Sequence, residues 1–227
     1  MIRLLVNFFV FVVDFVYRDR TYPRFYVLET IARVPYFAYL SVLHLYETLG
    51  LWRKSDWLKV HFAESWNELH HLLIMESLGG NAWWVDRLLA RSVATAYYWI
   101  CVLLYMVAPR SAYYFMELVE GHAYHTYSIF LQEHELELKA LPAPEVAVSY
   151  YTRGDLYMFD EFQTARRPEE RRPVIETLYD TFKNIRDDEQ EHVKTMVACQ
   201  SPEAQKTFKS PHSALPTSPE REPAHLP

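Results

Sequence analysis

Residues 60–80 read VHFAESWNELHHLLIMESLGG, and this stretch decides the fold class. It runs at helical spacing and closes on Gly79-Gly80, where a residue with positive φ is wanted. It also carries Glu68 three residues before His71. On a helix that spacing puts a carboxylate and an imidazole on one face about a turn apart, so both can reach one metal ion. Outward from this segment the chain keeps the same character. Glycine is scarce, five in 227 residues, and long stretches run at helical period. The sequence predicts an all-α protein with helices over about 2–17, 24–50, 56–78, 82–107, 111–139 and 173–198.

Glu-x-x-His occurs twice more, as Glu189–His192 in NIRDDEQEHVKTM (184–196) and as Glu222–His225. Twenty Glu and ten His in this length predict about one such pair by accident, so the motif alone is weak. The last copy contains Pro223 and lies in a Pro-rich tail, where no helical face can form. The other two match the parts list of a di-iron carboxylate site in a four-helix bundle, in which two helices supply Glu-x-x-His and two others a lone Glu. For the lone positions Glu29, Glu47, Glu117 and Glu120 compete, and spacing does not choose among them. Glu29 in FYVLETIA and Glu120 in MELVEGHA have apolar and small neighbours, which favours them, because a buried carboxylate is costly without a cation. Glu47, beside Gly50 and Trp52, reads better as a solvated group. His44, His61, His122 and His125 read as ordinary helix polar groups, and His70, beside His71, points about 100° around the helix and is not expected to ligate.

Composition narrows the partners. Apolar residues make up 50% and aromatics 16%, with 17 Tyr and 6 Trp, a supply of amphipathic rings that suits a membrane–water interface. A net charge of −6 and the lack of a Lys/Arg stripe argue against nucleic acid. Two cysteines make no disulfide scaffold, and Cys101, in an apolar run, reads as a packed thiol. The apolar stretch Leu4–Val13 is too short to span a bilayer and no signal-peptide cleavage site follows it. Ser92–Pro109 has no charge between Arg91 and Arg110 but holds Tyr97, Tyr98, Trp99 and Tyr105. A helix lying in one leaflet fits that better than a full span or a buried core helix. Pro142 and Pro144 open a long connection to about Pro173, with the aromatic and acidic run YYTRGDLYMFDEFQ (150–163) inside it. After Cys199 come six of the thirteen prolines. The expected organisation is one domain over 1–199 and a disordered tail over 200–227.

Four strings, FYVLETIARVPYFAYLSVLHLYETLG (25–50), VHFAESWNELHHLLIMESLGGNAWW (60–84), VEGHAYHTY (119–127) and NIRDDEQEHVKTM, resemble the alternative oxidase family in order and separation, its plastid branch most closely. The resemblance covers roughly Tyr17 to Cys199. It implies Glu29, Glu68, His71, Glu120, Glu189 and His192 as ligands of two Fe ions, with no haem, and so selects Glu29 over Glu47. It implies Tyr127 as a redox-active tyrosine near the irons and Arg24 and Leu28 as walls of the quinol pocket. Asn67 and Asp188, each just before a ligand Glu, would orient the ligands. The implied activity is oxidation of plastoquinol with reduction of O2 to water, by a homodimer attached to one face of the thylakoid membrane, in a chloroplast or a cyanobacterium. No cysteine before Glu29 matches the thiol switch of the mitochondrial plant enzymes. The rival readings are a membrane-associated di-iron quinone hydroxylase and a non-enzymatic, ferritin-like iron-binding bundle.

Overall fold

A computed structural model describes residues 11–13, 15–18, 20–51, 54–153 and 172–202. The main helices are α1 (Thr21–Ala32), α2 (Val34–Thr48), α3 (Ser55–Ser77), α4 (Trp84–Val107), α5 (Pro109–Glu133), α6 (Glu135–Ala140), α7 (Glu145–Val148) and α8 (Leu178–Cys199). A π-helical turn, Ser149–Arg153, follows α7. The described residues contain no strand, only an isolated bridge between Pro142 and Thr177. The protein is all-α.

Helix ends follow local chemistry. The expected 24–50 helix breaks at Arg33, because Pro35 enters as the second residue of α2 and carries no N–H to continue the ladder. Pro109 ends α4 and opens α5, where its missing N–H costs nothing. α8 starts later than expected, at a capping box in which Thr177 and Asp180 satisfy each other's backbone N–H groups. Gly79 and Gly80 close α3 for different reasons. Gly79 has φ +81°, and a Cβ on Gly80 would lie 2.7 Å from the Tyr22 carbonyl oxygen.

α1, α3, α5 and α8 enclose the site, and the pairing of α5 with α8 is the most extensive. α2 packs on α3 and α4, and α4 also touches α1 and α5. One apolar core, with Phe25, Tyr127, Phe130 and Phe182, fills one end of the bundle. A second, with Tyr36, Tyr39, Trp57, Tyr105 and Tyr113, fills the other. Cys101 is buried there, and burial pushes its thiol up to about 12. The chain from Pro142 returns to the start of α8 through bonds Ala143 N–H to Glu176 O and Leu178 N–H to Leu141 O.

α4 is not a core helix. It is long and apolar enough to cross a membrane, yet most of its apolar stretch is exposed. Trp84, Leu88, Trp99, Ile100 and Leu103 are all more than half exposed. Asp86 anchors its start: Tyr17 donates to Oδ1 and Arg20 pairs with both carboxylate oxygens. Arg20 also lies over the Trp83 ring. Residues 1–10, the remaining part of the first expected helix, and 203–227, most of the expected tail, lie outside the described residues.

Candidate metal centre

Six side chains from four helices converge between the two cores. Glu29 comes from α1, Glu68 and His71 from α3, Glu120 from α5, and Glu189 and His192 from α8; none is more than 2% exposed. They form two groups, Glu29–Glu68–His71–Glu189 and Glu68–Glu120–Glu189–His192, with ligand atoms within 4.8 Å of one another in each. Glu68 and Glu189 belong to both groups, so each has an oxygen available to either of two adjacent ions. His71 Nδ1 lies 3.2 Å from Glu189 and 3.7 Å from Glu29. His192 Nδ1 lies 2.9 Å from Glu68 and 3.5 Å from Glu189.

The donor set fits a pair of cations. Glu29 Oε2, both oxygens of Glu68, Glu120 Oε2 and both oxygens of Glu189 are buried and meet no donor in hydrogen-bonding geometry. Four carboxylates in that condition are expensive unless positive charge compensates them. Without metal, protons must supply it. Burial raises the Glu29 carboxyl well above its usual range, and the charges of Glu68 and Glu189 add to the rise. Burial likewise raises Glu189. Burial disfavours imidazolium at His71, yet the facing carboxylates of Asp188 and Glu189 outweigh it and hold that ring's pKa high. His192 behaves the same way, through Glu120, Glu189 and Glu68.

A polar shell orients these groups. Asp188 Oδ2 accepts from Asn67 Nδ2 at 2.9 Å, Tyr151 OH at 2.8 Å and His71 Nε2 at 3.2 Å. That bond fixes the His71 tautomer and turns Nδ1 toward the carboxylates. Asn67 Nδ2 also donates to Tyr150 OH. Tyr36 donates to Glu120 Oε1 at 2.6 Å, and Tyr127 donates to Glu29 Oε1. Tyr127 is fixed by stacking on Phe25, with centroids 4.6 Å apart.

Some residues fall elsewhere than the sequence reading had them. His61 is no ordinary helix polar group: it is fully buried between Glu64 and Tyr113. His70, by contrast, points away from the carboxylates as expected, bonding to the Trp66 carbonyl and stacking on Tyr150. Glu117 is half-buried and accepts from Gln200. Tyr36, Tyr150 and Tyr151 carried no sequence signal marking them as partners of the site. Arg24 and Leu28 are half-buried on α1, Leu28 against the first core. A groove of 720 Å³ opens among α1 to α4, lined by Thr30, Arg33, Phe37, Leu69, Leu73 and Tyr98 among others, and neither Arg24 nor Leu28 lines it.

A family model described as alternative oxidase matches residues 1–201. The chain is 66% identical over 204 residues to ubiquinol oxidase 4, chloroplastic/chromoplastic, of Arabidopsis thaliana, covering 90% of this chain and 57% of that protein. It is 28% identical over 180 residues to the mitochondrial ubiquinol oxidase of Mangifera indica, covering 79% and 50%. It is also 28% identical to the mitochondrial alternative oxidase of Ajellomyces capsulatus, covering 74% and 43%. The chain thus spans about half the length of the curated relatives it matches. With a helical bundle closed around buried carboxylates and imidazoles, and a family match over nearly all its length, the chain belongs to the alternative oxidase family.

Proposed function

We propose that the chain is the di-iron domain of a membrane-bound plastoquinol:O2 oxidoreductase that reduces O2 to water. The observation that carries this reading is the pair of overlapping buried groups sharing Glu68 and Glu189. In it Glu29, Glu68, His71, Glu120, Glu189 and His192 hold two Fe ions, and no haem is needed. When bound, the two irons supply the electron-accepting and O2-reducing chemistry.

The chain's own residues do the rest. Asp188, bonded to Asn67 and Tyr151, holds His71 with Nδ1 free to ligate. Tyr127 holds a phenolic proton on Glu29 Oε1, one bond from the centre, where it can be given up with an electron. Burial, and next the charge of Glu29, keeps that phenol protonated. Phe25 and Phe182 lie against the Tyr127 ring, with Phe130 packed on both of them, and together they exclude water from that side.

Plastoquinol is the proposed reductant, supported by the 66% identity to a chloroplastic/chromoplastic ubiquinol oxidase. Arg24 and Leu28 remain the proposed walls of its pocket. The exposed apolar side chains of α4 support attachment to one leaflet of a thylakoid membrane. Exposed Leu45 and Phe62, on helices other than α4, support a homodimer. The domain is taken as 1–199 and the tail as 200–227. The purified chain is expected to need detergent and to carry about two irons, with Glu68→Ala losing them, because Glu68 serves both positions. Two irons retained in Glu68→Ala, by metal analysis, would contradict the site.

A further inference from the structure

Beyond the six converging side chains lies a second buried polar chain that the proposed reaction does not use. His61 Nδ1 is 2.8 Å from Glu64 Oε2, and His61 Nε2 is 2.8 Å from Tyr113 OH. Tyr113 OH is 2.7 Å from Tyr105 OH. His61, Glu64 and Tyr113 are fully buried and Tyr105 nearly so. A carboxylate only accepts, so His61 Nδ1–H donates to Glu64, which leaves Nε2 as the acceptor for Tyr113. Tyr105 then donates to Tyr113.

We propose that Tyr113 is a second redox-active tyrosine, which stores one oxidising equivalent from the iron site while its phenolic proton rests on His61. The proposal depends on the iron reading above.

One-electron oxidation of a phenol at neutral pH needs a base at the hydroxyl, because the oxidised phenol is a strong acid. In the step proposed, the Tyr113 O–H bond breaks and its proton moves to His61 Nε2. The Nδ1–H of the new imidazolium stays on Glu64, and Tyr105 keeps donating to the phenoxyl oxygen. The electron passes to the iron site, which O2 has oxidised. An electron from quinol, with the proton returned from His61, restores the phenol.

Geometry separates Tyr113 from its rivals. The base beside Tyr36 is Glu120, and a proton placed there would compete with the metal. Tyr151 donates to Asp188, which orients His71. His61 lies outside the six converging residues, so it takes a proton without disturbing them. A path to the site exists: the Tyr36 ring lies 5.6 Å from His192 and 6.3 Å from His61, and His61 stacks 5.6 Å from Tyr113. Trp57, Tyr39 and Tyr105 enclose the Tyr113 ring at 5.4 Å each and keep water away.

The test uses the full chain in a Tyr127→Phe background, so that Tyr127 contributes no signal. In one arm, reduced iron-loaded protein is mixed with O2 without quinol and frozen. In the other, metal-free protein is oxidised by flash-generated ruthenium(III) tris-bipyridine. Electron paramagnetic resonance should show a tyrosyl radical in both arms, removed by Tyr113→Phe. His61→Gln, checked by its melting curve, should lower the yield about tenfold. A Tyr113 signal in the metal-free arm alone overturns the proposal through the iron reading on which it rests. No signal in either arm, or one that survives Tyr113→Phe, overturns it at the tyrosine.

Discussion

Replacing Tyr127 with Phe removes one hydroxyl and leaves the ring, which stacks on Phe25 with the two planes 5° apart. The structural loss is one hydrogen bond to the Glu29 carboxylate. In the metal-free protein burial holds the Glu29 carboxyl neutral, so this bond contributes about 0.5–1.5 kcal/mol, and a domain of this size loses about 2–4 °C of Tm per kcal/mol. The metal-free variant should therefore melt roughly 1–6 °C lower. The chemical loss should be larger. If the phenol gives up its proton and an electron during O2 reduction, kcat should fall about 100-fold or more, with iron content and KM for quinol little changed. Oxygen uptake against quinol concentration, with metal analysis and a melting curve on the same sample, separates the two effects. Turnover within about twofold of the parent, at equal iron content, would refute the chemical role and leave Tyr127 as a packing residue with one good hydrogen bond.

Two further outcomes follow from the electrostatics. In the metal-free protein Glu29 and Glu189 are raised above 4.5 chiefly by burial, and His71 and His192 above 6.5 by their carboxylate neighbours. All four hold protons that the unfolded chain has released. Stability from these groups is thus fully present below about pH 4.5 and lost as pH rises through the folded values, so Tm should fall as pH rises above about 4.5 for the carboxyls and above about 6.5 for the imidazoles. Bound iron should reverse that slope, because metal binding releases protons. Separately, Asp86→Ala removes the partner of Arg20 and Tyr17 and should cost on the order of 2 kcal/mol, since the pair is buried only on the Asp86 side. Denaturant melts check the size, and an unchanged midpoint would show that Asp86 does not anchor α4.

Much of the bundle is legible in the sequence because its signals are local. Helical spacing around Glu68–His71 and Glu189–His192 reports one face of one helix, and that face needs no partner to be read. The choice between Glu29 and Glu47 is not local. Both sit on helical stretches, and only packing makes Glu29 buried and leaves Glu47 half-exposed near the end of α2. His61 was misread for the same reason. In VHFAES it looks like a polar group on a helix surface, and its burial depends on Tyr113, 52 residues away. Tyr150 and Tyr151 lie on a π-helical turn in the long connection, where no periodic pattern marks which side chain turns inward. The break at Arg33, by contrast, was available in the sequence through Pro35.

The most direct test of the central claim is oxygen uptake by the purified, iron-loaded full chain given a plastoquinol analogue and ¹⁸O-labelled O2. The account predicts quinol-dependent uptake at about two irons per chain, with the label recovered in water and the quinone product unlabelled. Label in the quinone would mean a hydroxylase, and no uptake from protein carrying two irons would contradict the oxidase reading outright.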